Sequence, residues 1–150
     1  MIWEDDKMLS LFRLAFSCSY CRQPTPGGTD PCHVITRGVG GGTRLDVPLN
    51  LVSLCRTCHN ENHAGRSPTR EELCELVGER YGYKSHEVLA RLHRMIRAPK
   101  EARPCRDCEG AGRLMDQKLC HSYQCPTCRG VGILFRGRPW REPRRRFAGS

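Results

Sequence analysis

Apolar residues are scarce in this chain. Of its 150 residues, 38% are hydrophobic and only 7% aromatic. That is too little to fill one large core, so the fold needs staples beyond side-chain burial. No apolar run approaches the length of a membrane span, and the stretch Leu9 to Phe16 is broken by Ser10 and Arg13. The N-terminus carries Glu4, Asp5 and Asp6 in place of a cationic leader, so no secretory signal is expected. A reducing, cytoplasmic compartment without membrane contact is the expectation. Acids are also few, 16 against 25 Lys and Arg, for a net charge of +9. The excess favours polyanions, nucleic acid above all. Charge alone fits a merely soluble basic surface equally well.

Cysteine is what the chain has in plenty. Eight of its 11 cysteines form four C-x-x-C pairs: Cys18/Cys21, Cys55/Cys58, Cys105/Cys108 and Cys125/Cys128. Two thiolates at this spacing reach one tetrahedral ion, which is the zinc pattern and not a disulfide framework. Cys18, Cys21, Cys55 and Cys58 fit one closed structural site of four thiolates that ties the N-terminal segment to a later strand–helix junction.

Periodicity gives a coarse outline. Residues 1–16 read as a short amphipathic helix with Leu9, Phe12 and Phe16 on one face, packed over the first knuckle. His33 to Thr36 and Leu51 to Leu54 read as short strands around the glycines of 38–42, and Arg56 to Ala64 as a helix ended by Gly65. Ser67 to Glu72 carries a cap, an early proline and early acids, opening a helix that stops at Gly82. Ser85 is expected to cap a second helix with Val88, Leu89, Leu92, Met95 and Ile96 on one face. Cys74 on this helical hairpin reads as a small buried hydrophobe.

His59 and His63 lie one helical turn apart on one face, a spacing that suits two imidazoles on a divalent ion. His33 lies on the first strand, which in a hairpin-plus-helix arrangement can face that helix. Taken singly it reads as a surface or core histidine, but in order with Asn50, His59 and His63 it reads as a general base. The ordered set C-x-x-C, CHVITRG, GGG, NLVSLC and C-x-x-CH-x-x-x-H over 18–63 resembles the HNH endonuclease family, whose core is a ββα-metal finger. The resemblance implies that His33 activates water and that Asn50 pins the loop and orients His33. It implies that His59 and His63 hold a catalytic Mg²⁺, Mn²⁺ or Zn²⁺ that neutralises the scissile phosphate. Arg37 and Arg44 become candidates for phosphate contact. Many members have Asp or His, a metal ligand, before the base, where this chain has Cys32. Either Cys32 joins the metal and shifts its preference toward Zn²⁺ or Mn²⁺, or water or Asp30 takes the place.

Residues 105–112 and 125–132 repeat one another as C-x-x-C-x-G-x-G. The unit is similar to the zinc-binding region of DnaJ-type chaperones, but no His-Pro-Asp tripeptide accompanies it, so a chaperone role is not supported. One zinc held by the four thiolates of Cys105, Cys108, Cys125 and Cys128 is expected, with glycine N–H groups donated to the sulfurs. Cys120 and His121 lie between the units as unneeded spare ligands.

The expected fold is a small zinc-stabilised α+β protein. It comprises an HNH domain (1–66), a helical hairpin (67–98), a zinc-ribbon-like β-hairpin module (99–135) beginning in a charged linker, and a disordered Arg-rich tail (136–150). The expected function is metal-dependent hydrolysis of DNA, one strand per visit, with about two structural zincs and a dimer or two events for a double-strand cut. A non-catalytic zinc protein that binds nucleic acid is the alternative, and a protein-interaction adaptor a weaker third.

Overall fold

The computed structural model describes residues 2–36, 44–116 and 121–141. Arg37, the glycines of 38–42, Cys120 and the end of the chain from Glu142 lie outside the described residues. An antiparallel pair lies at the centre of the first half. Strand β2 (Asp30–His33) runs against β4 (Leu51–Leu54), with Cys32 opposite Val52 and His33 opposite Leu51. The pair forms because β4 is buried throughout, while β2 buries Cys32 and leaves His33 half-exposed on the other face.

The first helix is shorter than its sequence suggests. Ile2–Trp3 form strand β1, parallel to β3 (Arg44–Leu45), and α1 (Asp6–Arg13) follows under an Asp5 cap that accepts from the Met8 N–H. Phe16 falls beyond the helix and is 85% exposed, so it takes no part in the apolar face. Met8 and Leu9 instead close on Leu51 of β4.

Helix α2 (Arg56–His63) buries none of its residues fully and is held from its ends. Cys55 caps its start, and Asn62 near its end donates to the Pro68 carbonyl at 2.6 Å. Helix α3 (Arg70–Tyr81) opens on a reciprocal Thr69/Glu72 capping box and closes on Gly82 at φ 68°. The cap of α4 (Ser85–Arg97) is Lys84, not Ser85; its N–H donates to Glu87 at 2.8 Å.

These two helices place Leu73, Val77, Val88, Leu92 and Met95 in the main core with Val52 and Leu54. Cys74 is fully buried among them, as its sequence context suggests.

The C-terminal cysteine repeat and its flanks form β5 (Arg103–Pro104), β6 (Arg113–Asp116), β7 (His121–Gln124), β8 (Ile133–Phe135) and β9 (Arg138–Pro139). Strands β6 and β7 pair antiparallel, and β8 lies between β5 and β9. The segment read as a charged linker is structural: Ala102 is fully buried, and its carbonyl accepts from the Trp3 indole N–H. Ala102, Val131 and Ile133 share one core with Leu92 and Met95. The Tyr83 hydroxyl donates to the Ala111 carbonyl at 2.8 Å. Residues 136–141, expected in a disordered tail, are ordered: β9 pairs with β8, and the Trp140 N–H donates to the Ile133 carbonyl. A strand turned back on β8 satisfies backbone groups that a free tail would leave to water.

No helix among the described residues is long and apolar enough to cross a membrane.

Candidate active site and metal centres

Two groups of four cysteines come together as the spacing predicts: Cys18, Cys21, Cys55 and Cys58, and Cys105, Cys108, Cys125 and Cys128. Their sulfur separations test the metal. Four sulfurs bound tetrahedrally at about 2.3 Å from one zinc lie about 3.8 Å apart. The observed separations are 3.9 Å for Cys21–Cys55, 3.9 Å for Cys105–Cys125 and 3.6 Å for Cys108–Cys128. A disulfide requires about 2.05 Å. The donor sets therefore fit zinc and no position is left over for chemistry. Burial opposes ionisation of Cys18, but hydrogen bonds from the backbone at Cys55, Cys21 and Tyr20 bring its thiol down to about 7.

The second site shows why its repeat needs glycine. The N–H groups of Gly112 and Gly132 donate to Cys108 and Cys128, each at 3.2 Å. Both glycines have positive φ, 78° and 79°. A Cβ on Gly112 would meet the Gly130 carbonyl, and one on Gly132 the Gly110 carbonyl. The two repeats thus interlock backbone to backbone, and a side chain at either position would part them.

After the first cysteine group, α2 presents His59 and His63 in an edge-to-face pair with their Nε2 atoms 3.2 Å apart. Two nitrogens bound at about 2.0–2.1 Å to one ion at a tetrahedral angle lie about 3.3 Å apart, so this pair fits a shared divalent cation. His59 Nδ1 is buried without a hydrogen-bond partner, and the Asp30 carboxylate lies 3.9 Å from it. That is the side from which a carboxylate orients a metal-bound imidazole. Burial, then the neighbouring His63, lowers the pKa of His59, which favours the neutral ring a metal requires.

Cys32 stands apart from this pair. Its thiol is buried, pushed up to about 11 by that burial, and donates to Asn62 Oδ1 at 3.4 Å. Among the described residues, no third His, Cys, Asp or Glu joins the histidines in a group closed to within 4.8 Å.

His33 is gripped by a residue that the sequence reading passed over. Its Nε2 lies 2.9 Å from Asp46 Oδ1, and the Asp46 carboxylate is fully buried. The other oxygen, Oδ2, accepts from Arg44 at 2.7 Å and from the Asp5 N–H at 3.0 Å. Burial opposes the Asp46 charge, but the hydrogen bonds from Arg44, His33 and the Asp5 backbone outweigh it and hold the carboxyl below its usual range. Arg44, read as a phosphate contact, is instead committed to Asp46 and to Glu4 at 3.0 Å. The only sequence signal for this network was a lone acid between the glycines and Asn50.

Asn50 is fully buried, and its side chain replaces the next rung of the β2–β4 ladder. Its Oδ1 accepts from the Ile35 N–H at 2.8 Å, and its Nδ2 donates to the carbonyls of Leu45 and Ile35 at 3.0 and 3.3 Å. This is why regular strand ends at His33 although the β-branched run continues to Thr36. The amide ties the chain leaving His33 to the chain arriving at Asp46. His33 and His63 open on one cleft of about 350 Å³, which Arg66 and Arg70 also line. Arg66 is held by both oxygens of Glu61, whereas Arg70 has no carboxylate partner among the described residues.

Residues 18–65 match the family model of the HNH endonucleases, so this part of the chain is similar to that family. No curated protein and no solved structure matches the chain.

Proposed function

We propose that this protein is a metal-dependent endonuclease that hydrolyses DNA phosphodiester bonds, one strand per visit. The observation that carries the reading is that His33 and His63, both within the matched segment, line one open cleft whose rim includes Arg70, and that His63 is paired there with His59. A scaffold that only bound nucleic acid would have no use for a buried carboxylate aimed at His33 or for two nitrogens converging 3.2 Å apart.

In this reading His33 is the general base. The ionised Asp46 accepts from Nε2–H and fixes that tautomer, leaving the lone pair on Nδ1. His33 Nδ1 removes a proton from water. The water oxygen bonds to phosphorus while the bond from phosphorus to the 3′ oxygen breaks. His59 and His63 would hold a divalent cation, which would supply charge neutralisation at the scissile phosphate and the leaving 3′ oxygen. Asn50 positions His33 through the backbone, and Arg70 meets a phosphate oxygen. The zinc module and the helical hairpin brace this site. A double-strand cut takes two visits or a dimer.

The test is relaxation of supercoiled plasmid across a series of Mg²⁺, Mn²⁺ and Zn²⁺ additions, with His33→Ala alongside. Metal-dependent nicking that His33→Ala loses while keeping its fold is the expected result. Nicking that survives in His33→Ala would overturn the assignment of the base.

A further inference from the structure

A cavity of about 620 Å³ lies away from the HNH segment, where α4 meets the zinc-binding repeat. Five arginines line it: Arg91 and Arg94 from α4, Arg113 from β6, Arg129 from the second knuckle, and Arg141 after β9. Glu87 is its one acid. It shares no lining residue with the cleft of His33 and His63.

Two of the arginines build the wall. Arg91 lies over the Tyr83 ring at 4.1 Å and donates to the Gly130 carbonyl at 2.8 Å. Arg113 flanks the same ring and donates to the Gly82 carbonyl at 2.9 Å. With the buried Tyr83 capped in this way, the cavity offers no exposed aromatic face for a base to stack on. Arg94, Arg129 and Arg141 have no carboxylate partner among the described residues. Net charge in the lining is +4, five arginines against Glu87, drawn from four separate parts of the chain. Clustered guanidinium groups repel one another, and burial already works against the charge of Arg91. A polyanion relieves that repulsion.

We propose that this arginine-lined cavity is a second DNA-contacting site, which grips the phosphate backbone of a duplex away from the cleavage cleft and without regard to sequence. The proposal rests on the endonuclease reading for its choice of polyanion, and it adds the site. The free arginines make the phosphate contacts, while Arg91 and Arg113 set the shape of the cavity. The zinc-binding repeat is then more than a brace: it holds Arg113 and Arg129 opposite α4.

The experiment measures binding of a fluorescent DNA duplex as a function of salt, in the full chain carrying His33→Ala so that strand cleavage does not intrude. Adding Arg94→Ala and Arg129→Ala should flatten the slope of log K against log salt by about 2 and weaken binding about 30-fold at 0.15 M salt. Replacing the same two residues with lysine should keep most of the slope, since the contact is one of charge. Zinc content checks that the alanine pair is folded. If it is not, Arg141→Glu, at an exposed position after β9, replaces it, and the slope should again flatten. An unchanged slope in the folded alanine pair or in Arg141→Glu overturns the proposal. A slope lost equally with lysine overturns it too, because shape and not charge would then be responsible. Failure of the endonuclease reading looks different: the wild-type chain would bind DNA with a slope that depends on Arg94 and Arg129, yet nick no plasmid with any metal.

Discussion

His33 and Asp46, separated by a dozen residues in the chain, are joined by a 2.9 Å contact, and the carboxylate end of that contact is fully buried. The same carboxylate binds Arg44 and the backbone of Asp5, so the N-terminal segment helps to fix the ring of the proposed base. Replacing Asp46 by Asn keeps the shape but lets the amide donate to Nε2 and turn the tautomer over. The expected loss is in kcat, about 10²- to 10⁴-fold, with KM for DNA little changed. Steady-state nicking kinetics separate the two. A loss carried by KM would make Asp46 a part of the binding surface instead.

Acid should reveal the same network through stability. The folded Asp46 carboxyl is held below its usual range. It therefore contributes stability that is fully present above the unfolded value of about 3.9 and is lost as pH falls through the folded value. Thermal melts between pH 6 and pH 2 should show an acid limb that is shallower in Asp46→Asn. An identical limb in both proteins would mean that other carboxylates account for it.

The Asn50 side chain is fully buried, and removing it strands one N–H and two carbonyls that lie in buried or half-buried surroundings. Asn50→Ala is expected to cost about 2–4 kcal/mol, several times the effect of an exposed asparagine. Denaturant unfolding measures it. A cost below about 1 kcal/mol would show that water replaces the amide.

The histidine pair and the cysteine groups should separate in metal analysis. About two zincs should remain tightly bound in His59→Ala and in His63→Ala, while nicking falls at least about 100-fold in each. Loss of a zinc from either variant would put that histidine in a structural site.

Cys108→Ser should lose one zinc and more than one module. Ala102, Val131 and Ile133 share a core with Leu92 and Met95. Unravelling the repeat would therefore expose the helical hairpin as well, and the whole chain should melt in one transition at lower temperature. Two separate transitions, with the first half unmoved, would show that the repeat is only tethered.

The zinc groups, the histidine pair and the helical hairpin were legible in the chain itself because each depends on local spacing. C-x-x-C puts two sulfurs on one ion, H-x-x-x-H puts two rings on one face, and Thr69 with Glu72 starts a helix within a single turn. The tertiary structure alone decided the rest. Asp46 meets His33 only because β1 pairs with β3 and Asn50 draws the two ends of the loop together. Arg44 turns inward for the same reason, although its charge suggested a surface role. The ordering of residues 136–141 depends on an open edge of β8, which no local pattern announces. The five arginines of the large cavity come from four segments up to about fifty residues apart, so their convergence is a property of packing. Spacing fixes which atoms can share an ion within a turn or a knuckle; it carries no information about which buried charge will lie opposite which ring.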